Sequence, residues 1–548
     1  MNRILIGTCL ALVLAAAVPA AAQDEAPALD AKLGTWTRMV TTGSPEAQRY
    51  FDQGLVLCYA FNHEEALRNF RAAAEADPAC AMAQWGIAYV HGLHINNPVM
   101  DEEASRAAYA AVTRARELAQ ASASPVERAL IAALVERYAW PAPEDRTGLD
   151  RAYADAMRKV HAAYPADADV GALFAESLMD LRPWDLWTPD GAMQPGTDEI
   201  IAVLEGVLAS TPDHPAANHF YIHTMEASPQ PERARASADR LRDLTPDASH
   251  LVHMPAHIDI RLGDYDAAVK ANQRAVEADK LLLAQGGGQG FFALYRAHNY
   301  HFLAYAAMFD GRREVAMTAA RDMVASLPLE LVRAFPDFLD AFIEVPVHVM
   351  VRFGMWEEVL AEPVPPADLQ MSRATWHYGR TMALSALGRV DEAAAEFARL
   401  REAAAAVPES RTMGNNPATT VLAIGLKLAE GELEYRRGNH DRAFTLLGEA
   451  VAMDDDLRYD EPWGWMQPVR HALGALLLEQ GRVAEAEAVY RADLVRHPGN
   501  GWALLGLEEC LRRSERPAEA DESGKAARTA FARADIQPGA SCYCRTGS

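Results

Sequence analysis

Basic side chains are scarce in this chain of 548 residues: 52 Lys and Arg stand against 76 Asp and Glu, a formal net charge of -24. Phosphate backbones are held by clustered Lys and Arg, so this balance argues against a nucleic-acid partner and against an anionic membrane surface. It favours cations and basic partners, and it also serves solubility. Long apolar runs are missing too. Beyond the first 22 residues, no segment reaches the roughly 18 uninterrupted apolar residues of a membrane-crossing helix, so no membrane insertion is expected. Runs of Val, Ile and Thr are few, and a half-apolar composition dominated by alanine favours helix over sheet.

The motifs of several chemistries are also lacking. There is no GxSxG elbow, no phosphate-binding glycine loop and no Cys and His nucleophile pair; GGGQG, from Gly286, follows a helical pattern and not a strand. Cysteine is sparse, at six residues. Cys9 falls within MNRILIGTCLALVLAAAVPAAAQDEA, where Arg3, an apolar stretch from Ile4 to Val18 and the small residues Ala20 and Ala22 spell a secretory signal peptide with cleavage expected after Ala22. Export to the periplasm or medium would permit disulfides among Cys58, Cys80, Cys510, Cys542 and Cys544, though an odd count leaves one thiol unpaired. Cys58 with Cys80 is one candidate pair. SCYC, after Pro538 and Gly539, reads as a bridge, a soft-metal ligand pair or a plain tail.

What the chain has in plenty is a repeated grammar. GDYDAAVKANQRAVEAD, from Gly263, sets a glycine turn, an aromatic, paired alanines and a helix with an acidic end. The pattern returns as NHEEALRNFRAAAEADP from Asn62, GRREVAMTAARDM from Gly311, GMWEEVL from Gly354, GRVDEAAAEFARL from Gly388, GNHDRAFTLLGEAV from Gly438 and GRVAEAEAVYRADLVRHP from Gly481. It resembles the second half of a tetratricopeptide repeat. The resemblance covers most of the chain, and its motifs are degenerate singly but specific in series.

That resemblance implies an all-α, right-handed superhelical solenoid of about twelve antiparallel helix pairs, each too small to bury its own apolar stripe and so stacked on its neighbours. The expected organisation is a signal peptide over 1–22, a linker over 23–45, irregular pairs over 46–212, central repeats over 213–363, further repeats over 364–534 and a tail over 535–548. Three insertions interrupt it: HGLHINNPVMDEE, RPWDLWTPDGAMQPG and LLLAQGGGQGFF. Loops of this length are often functional, and they also serve as slack.

The histidines fall in register with the turns. His253 and His257 lie ten and six residues before Gly263; His219 and His223 lie ten and six before Pro229, so each pair recurs after 34 residues, one repeat length. Glu226 and His250 flank them. His301 and His298 lie ten and thirteen before Gly311, and Glu344 and His348 ten and six before Gly354. The resemblance implies that these first helices line a concave groove, where a peptide or protein partner would also bind.

Side chains at i and i+4 stand about 5–6 Å apart on a helix, and packed helices about 8–10 Å apart, so neighbouring pairs can share an ion. His219, His223, His250, His253, His257, His298, His301, His348 and Glu344 are therefore candidate ligands for a transition metal, Zn, Cu, Fe, Mn or Ni. Glu226 is the candidate base of a catalytic site; Trp184, Asp185 and Trp187 are candidate substrate or lid residues.

A lone helical histidine is usually a packing residue, but seven of the 17 histidines lie between 219 and 301. Other readings of the column are a His-lined groove for an acidic or aromatic ligand, a response to pH, and a metal-free scaffold. His91 and His94 sit beside the first insertion, where they read as loop residues or as residues reaching the groove, and His63, His161, His214, His377, His440, His471 and His497 read as surface or packing residues.

Overall fold

The structure, a computed structural model, describes residues 27–29, 31–288 and 290–545. The signal peptide expected over 1–22 lies outside the described residues. The fold is all-α and tetratricopeptide-like: antiparallel helix pairs follow one another, and among the described residues the only strands are the two-residue hairpin arms Thr412–Met413 and Asn416–Pro417.

Several helices start at capping residues. Ser44 accepts from the Ala47 amide ahead of Pro45–Tyr59, Asn62 accepts from Glu65 ahead of His63–Ala76, and Ser124 with Glu127 closes a capping box on Pro125–Val135. The turn glycines Gly263, Gly311, Gly354, Gly388, Gly438 and Gly481 have φ between 65° and 82°, the left-handed region their repeat position demands. Small residues let the helices approach: a Cβ at Gly86 would stand 2.5 Å from the Phe70 ring.

Contacts divide the chain into two compact units, the first running to Ile258 and including Gln273–Arg296, the second comprising Asp259–Asn272 and the chain from Ala297 onward. This division falls inside the stretch 213–363. In the first unit, successive helices from Pro45–Tyr59 to Arg235–Leu244 pack in sequence, and Pro45–Tyr59 also packs on Pro215–Met225. That long-range contact brings the first pair against the histidine helix. The helix Phe292–Phe309 gives its start, with Tyr295, to this unit.

In the second unit the pairs Gln370–Ala386/Val390–Ala405, Ala418–Arg436/His440–Asp455, Val469–Glu479/Val483–Arg496 and Gly501–Arg513/Pro517–Ala530 share one core that includes Tyr378, Trp465, Leu476 and Tyr490. Residues 540–545 are not a loose tail. Ser541 is fully buried, donating to the His471 carbonyl at 2.8 Å and meeting the Tyr490 hydroxyl at 2.7 Å. Arg545 forks onto Glu509 at 2.6 and 3.1 Å. Cys542 and Cys544 form a disulfide, whereas Cys58 and Cys80 are buried free thiols, so the bridge considered between them is not formed.

Candidate metal centre

The helix Pro215–Met225 carries His219 and His223 one turn apart, and Ser249–His253 with Pro255–Leu262 carries His250, His253 and His257. Pro255 has no amide hydrogen to give the preceding turn, and the helix is interrupted there. The five imidazoles do not line an open groove. Each is 6% exposed or less, and so is Glu226.

Hydrogen bonds set the ring orientations. Nδ1 of His219 lies 2.7 Å from the Tyr59 carbonyl, which can only accept, so Nδ1 carries the proton and Nε2 the lone pair. That Nε2 stands 3.1 Å from Nε2 of His250. Glu226 is a fork: Oε1 lies 3.0 Å from Nδ1 of His223 and Oε2 3.0 Å from Nδ1 of His257. Burial penalises its charge, but the two imidazoles outweigh that and hold the carboxyl down at about 2. Nε2 of His257 in turn stands 2.8 Å from Nε2 of His253. Nε2 of His223 is buried with no hydrogen-bond partner among the described residues.

His219, His223 and His250 each offer a ring nitrogen, and these three atoms lie within 4.8 Å of one another. Two nitrogen ligands about 2.0–2.1 Å from a tetrahedral ion are separated by roughly 3.3–3.4 Å, close to the spacing of His219 and His250. Burial pushes the His219 pKa well below its ordinary value and keeps the ring neutral, the form that ligates.

Three further residues frame the cluster without having been marked by register. Phe61 occupies the turn position that glycine holds in other repeats, and does so with φ 55°. Its ring stacks on His94 at 4.2 Å between centroids and meets His219 edge-on at 4.6 Å. His94, in the loop between Ala81–Val90 and Glu102–Ser122, is thus a buried member of the neighbourhood, and its ring centroid stands 4.6 Å from that of His63. Tyr295 lies 4.7 Å from His250. The sequence signal was the phenylalanine at a glycine position.

The three candidates from the second insertion part company. Trp184 meets His223 edge-on at 5.5 Å and is 38% exposed, so it covers the cluster on one side. Trp187 donates to the Thr224 carbonyl at 2.7 Å and pins the loop to the histidine helix. Asp185 turns to Arg182 and Gln194, at 2.7 and 2.9 Å, and is exposed. The third insertion is also fixed, through the Phe291 amide on Glu64 at 2.7 Å; burial pushes that carboxyl up to about 7.

His298, His301, Glu344 and His348 belong to the second unit. There His301 packs edge-on against Phe342 at 5.2 Å and His348 against Trp465 at 5.0 Å, both rings held neutral by burial, at about 3 and about 4. Glu344 is buried near Arg321 and Glu362, and its pKa is driven well up by desolvation. Several histidines read as surface or packing residues pair with carboxylates: His214 with Asp169, His377 with Glu396, and His471 and His497 with Asp493.

No family model matches this chain, and no curated protein matches it. Among solved structures, the human IFIT1 dimer with m7Gppp-AAAA is similar over 90% of this chain and 92% of that one, at 12% identity and a TM-score of 0.33. A monomeric IFIT1 mutant with Gppp-AAAA covers the same shares at 12% identity and a TM-score of 0.32. A likeness of that strength carries nothing about the ligand or activity of this chain.

Proposed function

We propose that this is an exported tetratricopeptide-like protein that binds a transition metal ion through imidazoles buried in its first unit. The observation that carries the reading is the triad His219, His223 and His250, with three ring nitrogens within 4.8 Å. Two of its rings are oriented by acceptors on the opposite nitrogen, the Tyr59 carbonyl and Glu226. Ligating histidines generally donate their other nitrogen in this way. A nitrogen-rich set without thiolate suits Cu, Ni, Zn or Fe. Glu226 serves here as the orienting carboxylate of His223 and His257; a carboxyl held at about 2 is a poor general base near neutral pH.

The test is the metal content of the chain with its first 22 residues removed, purified without a histidine tag, beside the variant with His219, His223, His253 and His257 changed to Ala. Stoichiometric metal in the first and none in the folded second supports the reading; a folded native chain that takes up no transition metal ends it.

A second reading, a groove for an extended peptide, is favoured by one observation. Residues 541–545 already lie against helices of the second unit, with Ser541 bonded to His471 and Tyr490 and Arg545 to Glu509. Binding of a labelled peptide in trans, competed by a synthetic tail peptide, tests it.

A further inference from the structure

We propose that the imidazole cluster of the first unit takes two ions, not one, with Glu226 orienting one ligand of each. The inference rests on the metal reading and goes beyond it in number and arrangement.

The nitrogen atoms gather at two points. At the first, Nε2 of His219 and Nε2 of His250 are 3.1 Å apart, with His223 completing the triad. At the second, Nε2 of His253 and Nε2 of His257 are 2.8 Å apart. These two Nε2 pairs are the points of closest approach among the five rings. An ion about 2.0–2.1 Å from each nitrogen would draw its ligand atoms to one point, and five imidazoles exceed the tetrahedral demand of one ion.

Glu226 explains the division. Its two oxygens each face an Nδ1, that of His223 and that of His257, at 3.0 Å. Because Nδ1 and Nε2 lie on opposite sides of an imidazole, a ring that points Nδ1 at the fork must point Nε2 away from it. His223 and His257 therefore send their lone pairs in different directions, one into each nitrogen group. A single carboxylate gripping two ligand rings couples the two positions mechanically.

The second position draws two imidazoles, His253 and His257, from this unit. The alternative is an N–H···N hydrogen bond between His253 and His257 with no ion, which the 2.8 Å separation also satisfies.

The experiment uses the full chain without its first 22 residues, loaded with excess Cu(II), desalted, and assayed for copper by mass spectrometry and for spin coupling by electron paramagnetic resonance. Two copper ions per chain with a dipolar-broadened signal are expected. In the variant His253→Ala/His257→Ala the count falls to one and the spectrum sharpens to an isolated ion; the single variant His253→Gln, which keeps volume and polarity, gives the same readout where the double variant does not fold. One copper in the native chain, or an unchanged count in either folded variant, overturns the two-ion arrangement while leaving the metal reading intact. No copper in the native chain overturns the metal reading itself.

Discussion

Changing Glu226 to Gln probes the fork with almost no change in volume. Each carboxylate oxygen faces an imidazole Nδ1 at 3.0 Å, Oε1 in a hydrogen bond with His223 and Oε2 in an ion-pair contact with His257. A carboxamide has one accepting oxygen and one NH2, so it can serve only one ring. The other ring would face donor against donor and must turn or change tautomer, which moves its proton to Nε2 and withdraws that lone pair from the ion. Loss of an outer-shell partner of a ligating histidine typically costs 10–100-fold in metal affinity, about 1.4–2.7 kcal/mol. The expected result for Glu226→Gln is a drop of that size for one class of site and little change in the other. A competition titration against a chelator of known affinity, with circular dichroism as the folding control, reads it. An unchanged titration curve refutes the fork as a device for orienting ligands.

Other outcomes follow from the same geometry. Phe61 is 2% exposed and left-handed at φ 55°, so Phe61→Ala should cost about 3–5 kcal/mol by the lost packing. Phe61→Gly should cost roughly 1 kcal/mol less, because glycine accepts that φ without strain; urea unfolding in which Ala is the milder change contradicts this. Ser541→Ala removes the Ser541 contacts to Tyr490 and His471 and should destabilise by about 1–3 kcal/mol, read as an earlier unfolding transition. A tail that contributes nothing would leave it unmoved. Three buried rings of the metal-free protein should each contribute less stability on acidification, against the opposite trend of buried carboxyls such as Glu64. Burial lowers His63 and His301 to about 3 and His348 to about 4 from 6.5, so each binds protons more readily unfolded than folded. Their contribution is full above about pH 6.5 and is lost as pH falls toward those values, about 2 kcal/mol for each such ring by pH 5; an acid sensitivity between pH 7 and 5 that is the same in native protein and in a folded His301→Gln variant speaks against it.

The legible part of this molecule was its periodicity. Turn glycines announced the helix pairs because their backbone conformation is costly for other residues, and the 34-residue recurrence of His219 and His223 as His253 and His257 placed four rings in one neighbourhood. Register along the chain could not show that Pro45–Tyr59 packs on Pro215–Met225. That contact supplies the Tyr59 carbonyl to His219 and carries Phe61 into the imidazoles. Nor could it show that the histidines would be buried instead of lining an open face. His94 was hidden because an insertion has no period, though its backbone pairs with Asn97 and turns its ring inward onto Phe61. His301, Glu344 and His348 obeyed the same spacing as the earlier pairs, yet their surroundings are Phe342, Arg321 and Trp465. Spacing fixes which helix face a residue occupies, and packing decides what that face meets.

The most direct measurement is the metal content of the untagged chain after removal of its first 22 residues, compared with a folded variant bearing His219→Ala, His223→Ala, His253→Ala and His257→Ala. The account predicts stoichiometric transition metal in the former and none in the latter. A folded native chain that remains metal-free in excess Cu(II) or Zn(II) would contradict it.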